Sequence, residues 1–394
     1  MANPFAETIE RLTPEIVALR HELHAHPEIR FEEYWTSDRI ARFLDEAAIP
    51  YQRGYARGTG IVATLDGGPG PTLALRTDID GLEVQEETGL PYASTVPGRM
   101  HACGHDGHMA CLLGAARVLA EHRDRLKGRV RFIFQPAEEL GGGARLMVEE
   151  GALNGVDAVF GLHAWPMMPV GHIGLRAGPI MATARFFRIE VSGRGAHGAD
   201  PAAAVDPIIT VAHLITALQT VTSRELDPFE AGVVTVGRVQ AGTASNIIPD
   251  VAVMEGTIRS LTVEGADRIA ESVSRIVEHT ALAFRASADV HFGSSAYPPT
   301  VNDAAMTEFL AATAEEVLGV DSVVRRPAPS MTAEDFAFYL QAVPGVFFWL
   351  GNAPRDGRAG TPLHNARFDF NDKAIPTAMA LWSHLVRRFL DRRA

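Results

Sequence analysis

Three short apolar runs in the amino-terminal half of the chain each end in acidic or imidazole side chains, and that recurrence narrows the folds open to it. Residues 72–76 run into Asp78 and Asp80, residues 129–135 pass through Pro136-Ala137 into Glu138 and Glu139, and residues 158–163 end on His163 itself. Short apolar runs of this kind, bounded by turn residues, read as buried strands. Between them, residues 107–121, rich in Ala and Leu, and residues 142–150 carry helical patterning. Alternating strands and helices predict an α/β fold with a mostly parallel sheet covered by helices. Such sheets keep their chemistry outside the carboxyl ends of their strands, which is where these acids and the histidine fall.

The rest of the chain fits around that frame. Residues 6–24 predict an amphipathic helix with Ile9, Leu12, Ile16, Leu19 and Leu23 on one face, ending at His26-Pro27. His21, His24 and His26 read as surface or packing side chains near a helix end, because no cysteine or carboxylate partner is implied locally. A second helix is expected at 36–48, before Pro50, and a strand at 59–65, set off from 72–76 by Asp66-Gly67-Gly68-Pro69-Gly70. From residue 184 the texture changes to strand 186–191, helix 206–223, strands 233–239 and 251–259, helix 266–284 and strand 288–292. That order, β-α-β-β-α-β, is the ferredoxin-like split motif. It is bounded by Gly178-Pro179 and Pro298-Pro299, so residues 184–300 are expected to form an inserted domain. A helix at 303–317, a strand at 346–350 and a helix at 373–391 return to alternation. Residues 1–183 and 301–394 together then form the first domain.

Composition excludes several functions. The 394 residues carry a net charge of −12 and no basic run, which argues against nucleic acid and anionic membranes as partners. Cys103 and Cys111 are the two cysteines, too few for a disulfide framework. The amino terminus lacks a basic segment followed by an apolar core. No apolar run reaches the roughly 18 residues that a membrane span needs. A cytoplasmic, reducing location is expected.

The densest chemistry lies in residues 100–108, which contain His101, Cys103, His105 and His108. In an extended segment Cys103 and His105 project to the same side, and Asp106 is expected to N-cap the helix that follows. Cys103, His105, Glu139, His163 and His364 offer sulfur, nitrogen and oxygen donors acceptable to zinc, with a softer bias to cobalt or nickel. Five ligands are too many for one catalytic ion with an open position. They suit two divalent ions about 3.5–4 Å apart that share a bridging ligand and a water. In the Glu138-Glu139 pair one carboxylate can hold metal while the other moves the proton of the water.

Taken together, Met100–His108, Gln135-Pro136-Ala137-Glu138-Glu139, Gly161-Leu162-His163, Gly195-Ala196-His197-Gly198, Asn246-Ile247-Ile248-Pro249-Asp250 and Leu363-His364-Asn365 resemble the hippurate hydrolase, aminoacylase and auxin-conjugate amidohydrolase group of two-metal peptidases. The resemblance covers nearly the whole chain in order. It implies a bridging role for Cys103, where other branches use aspartate. One ion would be completed by Glu139 and His364, the other by His105 and His163. It also implies Glu138 as general base and Asp80 as the residue that orients the site. Asp78 stands where other branches carry a histidine ligand and is not counted as one; His101 and His108 are expected in supporting places. In the inserted domain, which resembles the group's lid and dimerisation domain, His197 is implied to stabilise the oxyanion. Asn246 and Arg259 are implied to bind the substrate α-carboxylate.

The expected activity is hydrolysis of the amide bond of N-acyl amino acids, with two divalent ions drawn from zinc, manganese, cobalt or nickel. A dipeptidase or carboxypeptidase of the same superfamily, or a non-catalytic binding relative, is the alternative. The apolar strand at 233–239 is expected at a sheet edge, where it can pair with its copy in a homodimer. Met181, Phe336, Trp349 and Leu350 are read as core residues, and the segment 330–336 has no role that its residues alone reveal.

Overall fold

The computed structural model describes residues 4–139, 141–293, 296–356 and 358–392. Residues 1–3, part of the terminus read above for a leader, lie outside the described residues. The chain divides into two compact units, Met1–Ile180 with Val301–Ala328 and Asp335–Ala394, and Met181–Thr300 with Pro329–Glu334. Segment 329–334 therefore groups with the second unit, where Ala182 N donates to the Thr332 carbonyl at 2.9 Å.

The first unit opens with α1 (Ala6–His24) and α2 (Tyr34–Glu46), the latter starting two residues before the expected point. Strands β1 (Tyr51–Tyr55), β2 (Gly60–Asp66) and β3 (Thr72–Asp78) follow, then α3 (His105–Glu121), β4 (Arg129–Gln135), α4 (Gly143–Glu149), β5 (Ala158–Pro169) and β6 (Ile173–Leu175). Strand β1 has no counterpart in the sequence reading. Its residues Tyr51-Gln52-Arg53-Gly54-Tyr55 are largely exposed and show no apolar period.

In the second unit come β7 (Arg185–Ser192), α5 (Pro207–Thr220), β8 (Gly232–Ala241), β9 (Val251–Ser260), α6 (Val263–Ala283) and β10 (Ser287–Phe292). Its antiparallel sheet has the order β8-β9-β7-β10. Helices α5 and α6 pack on one face through Val211, Leu214, Ile269 and Val273, against Phe187, Ile189 and Val191 of the sheet. Asp206 caps α5, accepting from the amides of Ile208 and Ile209. Strand β8 lies at one edge of the sheet.

The chain returns to the first unit with α7 (Ala304–Leu318), β11 (Val323–Arg325), α8 (Ala337–Ala342), β12 (Gly345–Ala353) and α9 (Ile375–Leu390). The large sheet has the order β1-β2-β4-β3-β5-β12-β6-β11. Its central strands β4, β3, β5 and β12 are parallel, with antiparallel pairings flanking them. Register aligns the strand ends: Asp78 pairs with Gln135, and Arg76 with Gly161. The residues just beyond β3 and β4 and His163 of β5 are thereby brought to one rim of the sheet. Helix α3 packs between α1 and α9. A Cβ at Gly107 would lie 2.3 Å from the Phe370 ring, so glycine there lets the helix seat. Phe336, Trp349 and Leu350 are core residues of the first unit, and Met181 is buried in the second. Among the described residues no helix is long and apolar enough to cross a membrane.

Candidate metal centre

Four segments of the first unit deliver the expected donors at the rim of the large sheet, His163 from within β5 and His105 from the first residue of α3. Cys103 and His105 do not lie in an extended segment. Gly104 between them adopts φ 87° and occupies the N-cap of α3, so His105 is already the first helical residue. A left-handed start of this kind favours glycine. It also displaces Asp106 from the capping place expected of it. Asp106 sits in the first turn and is drawn instead to Arg20 Nε at 2.7 Å and His24 Nδ1 at 2.8 Å.

Of the five groups of donor atoms that the described residues bring within 4.8 Å of one another, three are built from the expected donors and Glu138: Cys103 with His105 and His163, Cys103 with Glu139 and His364, and His105 with Glu138 and Glu139. Cys103 Sγ is 3.4 Å from His163 Nε2, and His364 Nε2 is 3.1 Å from Glu139 Oε1. His105 faces its Nδ1 to the Asp80 carbonyl at 2.8 Å, and His163 faces its Nδ1 to the Ala164 carbonyl at 2.9 Å. A ring that donates Nδ1–H to a carbonyl keeps its Nε2 lone pair for a metal. His105 Nε2 is buried and has no hydrogen-bond partner among the described residues. The donor set is one thiol, three imidazoles and a carboxylate, with a second carboxylate alongside, and it fits a pair of divalent ions.

The local charges point the same way. Burial first, then Glu139 and Glu138, push the Cys103 thiol well above the usual thiol range. Burial, with His108 adding to it, holds His163 well below the ordinary imidazole value, in the neutral form that ligation needs. Burial opposes ionisation of Glu139, yet His364 and His105 hold its carboxyl below the usual value. Two carboxylates and a thiol crowded together are a site that cations relieve.

Asp80 joins the two halves of the centre. Its carbonyl receives His105, its Oδ1 lies 3.3 Å from His105 Nδ1, and its Oδ2 accepts from the Glu139 amide at 3.1 Å. Asp78, left unassigned from sequence, accepts from His108 Nδ1 at 2.7 Å and from Arg76 Nη1 at 2.9 Å. His108 Nε2 in turn accepts from the Ala164 amide at 2.8 Å. His101 is buried, and burial pulls its imidazole down to about 4.

Several partners were invisible to sequence reasoning. Asp335 accepts from Arg76 Nη2 and Gln135 Nε2 at 3.0 Å each and from the Ala144 amide at 2.9 Å, which gives the segment ending at 336 its role. Glu33 is buried against the Ala137 turn, and burial followed by Asp80 pushes its carboxyl up to about 8. The alternation of Arg76 and Asp78 on one strand face is the one local hint of this network.

Within the second unit, His197 and Ile247 pair in a short antiparallel ladder, and Gly198 N donates to the Asn246 carbonyl at 2.8 Å. His197 and Asn246 are thus neighbours, both exposed. Arg259, at the end of β9, stacks 5.7 Å over the Phe186 ring and forms no ion pair among the described residues.

Residues 74–388 match Peptidase family M20/M25/M40. The N-acetyl-L-cysteine deacetylase of Bacillus subtilis (strain 168) is 41% identical over 99% of this chain and 91% of its own length. IAA-amino acid hydrolase ILR1-like 4 of Arabidopsis thaliana is 37% identical over 95% and 86%. The crystal structure of the Bacillus subtilis YXEP protein, a dinuclear metal binding peptidase from the M20 family, superposes with a TM-score of 0.84 at 37% identity, covering 98% of this chain and 99% of that one. With its fold, its donor groups and its sequence in agreement, the chain belongs to peptidase family M20/M25/M40.

Proposed function

We propose that this protein is a metal-dependent amidohydrolase that cleaves N-acyl amino acids to a carboxylic acid and a free amino acid. The observation that carries the reading is that Cys103 belongs to two donor groups at once, with Glu138 beside them. In the site, Cys103 with Glu139 and His364 would hold one divalent ion, and Cys103 with His105 and His163 would hold the other. Zinc, manganese, cobalt and nickel are all compatible with these donors. When bound, such ions acidify a water and polarise the amide carbonyl.

The residues of the chain do the rest. Glu138 takes a proton from the attacking water as its oxygen bonds to the carbonyl carbon. It then delivers that proton to the amide nitrogen as the C–N bond breaks, so the acid and the free amine leave in balance. Asp80 holds His105 by its carbonyl and the Glu139 amide by its carboxylate, which keeps both halves of the centre in register.

The second unit acts as lid and dimerisation domain in this reading. His197 donates to the developing oxyanion, and Asn246 and Arg259 bind the α-carboxylate. The absence of an ion pair at Arg259 among the described residues supports an anion-binding role. The edge position of β8 supports pairing with a second copy in a homodimer. Two buried free thiols, Cys103 and Cys111, fit a reducing cytoplasm.

A panel of N-acyl amino acids, assayed with each of the four metals restored, tests the substrate class. Turnover is expected on substrates whose α-nitrogen is acylated. Activity confined to substrates with a free α-amine would move the protein to the dipeptidases. On the best substrate, Arg259→Met is expected to raise KM about 10–100-fold, the worth of a charge-assisted hydrogen bond. An unchanged KM would remove Arg259 from the carboxylate site.

A further inference from the structure

The turn that carries Glu138 is held in an unusual shape. Ala137 has φ 55°, a left-handed conformation in which the Cβ of an L-residue crowds the backbone. Such a residue persists where its surroundings over-determine it. Here the Ala137 carbonyl accepts from the amides of Gly141 and Gly143, both at 3.2 Å. The Ala137 amide donates to Glu33 Oε1 at 3.0 Å, and the Glu139 amide donates to Asp80 Oδ2 at 3.1 Å. The two backbone N–H groups that flank Glu138 therefore each end on a buried carboxyl group.

Asp80 already has a place in the site through His105. Glu33 has none, and it is 0% exposed. It forms no ion pair among the described residues. Its partners are three neutral donors from separate parts of the first unit. The Phe31 amide reaches Oε1 at 3.0 Å, the Thr59 hydroxyl reaches Oε2 at 2.9 Å, and the Ala137 amide shares Oε1. Its own carbonyl accepts from the Ser37 amide at 2.9 Å, which anchors it at the start of α2. Burial away from any cation pushes this carboxyl up to about 8, so it is held as the neutral acid near pH 7, and nothing in the packing of an aliphatic core calls for one here.

We propose that Glu33 is a positioning residue for Glu138: its carboxyl group clamps the left-handed Ala137 backbone and so fixes the direction from which Glu138 reaches water and the amide nitrogen. The inference rests on Glu138 being the general base. A base displaced by about an ångström loses proton-transfer efficiency without losing substrate affinity, so the clamp acts on kcat rather than KM.

Two conservative variants of the metal-loaded enzyme separate the reach of the clamp from its acidity. Glu33→Gln keeps an oxygen at the Oε1 position for both amides, and the Thr59 hydroxyl reverses to accept from the new NH₂ group. Glu33→Asp keeps the carboxyl group but is one methylene too short to reach Ala137 and Thr59 together. The expected result is a kcat within about threefold of wild type for E33Q. For E33D a loss of tenfold or more is expected, with KM within about threefold and metal content unchanged. Adding Ala137→Gly to E33D removes the Cβ crowding and is expected to restore kcat at least threefold. An E33Q variant that loses tenfold or more would overturn the proposal, as would a fully active E33D or an E33D that glycine at 137 does not rescue. Should E33D fail to fold, the E33Q result alone decides. An active Glu138→Gln variant would overturn the base assignment itself. A fully active E33D beside an inactive E138Q would overturn the clamp alone.

Discussion

Replacing Glu138 with glutamine is expected to lower kcat by about 10²–10⁴-fold, the range over which a positioned general base contributes. The substitution is isosteric, and Glu138 is only 5% exposed, so packing should not change. Glutamine cannot take a proton from water, and its amide cannot return one to the leaving nitrogen. Glu139 stays in its group with Cys103 and His364, so the metal content is expected to remain that of the wild type, and KM to stay within a few fold. Steady-state kinetics and metal analysis on one preparation check both halves. A variant that keeps more than a tenth of wild-type kcat would place the proton transfer on another residue.

Asp106→Ala is expected to destabilise the first unit by about 3–5 kcal/mol, the cost of removing one partner from a buried ion pair. Asp106 and Arg20 are each 0% exposed. Arg20 also reaches Asp369 at 2.5 Å and Asp372 at 3.5 Å, so the cluster fastens α1, the start of α3 and the segment before α9 together. The same start of α3 presents His105. Urea unfolding of the two proteins measures the difference, and a loss below about 1 kcal/mol would show that Asp369 and Asp372 suffice.

The pH dependence of that difference has a definite sign. Burial opposes charge on His24, but Asp106 outweighs it and raises the imidazole from 6.5 to about 9. A raised value means stability that is fully present below about pH 6.5 and lost as pH rises through about 9. The gap between wild type and D106A should therefore be widest near pH 6 and narrow toward pH 9, where the pair with Arg20 still remains. A gap that widens with pH would contradict this reading of His24.

What could be read from the sequence followed local chemistry. The strands at 72–76 and 129–135 were legible because apolar runs end abruptly in turns, and their acidic ends marked the rim of the sheet. The pairing of Cys103 with His105, His163, Glu139 and His364 was legible from residue types and order within a resemblance, not from spacing. The local rule failed at Asp106. An aspartate before a helical run reads as an N-cap, yet Gly104 takes that place with a left-handed backbone, and Asp106 pairs with Arg20 on a helix 86 residues earlier. Glu33 and Asp335 were illegible for the same reason. Each is a carboxylate among many, and its meaning lies in amides that only the folded chain brings near: Ala137 for one, Ala144 for the other. Strand β1 escaped notice because a largely exposed edge segment needs no apolar alternation.

Metal content of wild type and Cys103→Ala after dialysis against a weak chelator tests the central claim most directly. Cys103 belongs to each of the two donor groups assigned to the two ions, so a single substitution should empty both. The account predicts about two divalent ions per chain in the wild type and well under one in the variant, since each group loses the donor it shares with the other. Wild-type protein that saturates at one ion, or a Cys103→Ala variant that still retains two, would contradict a centre built on a shared thiolate.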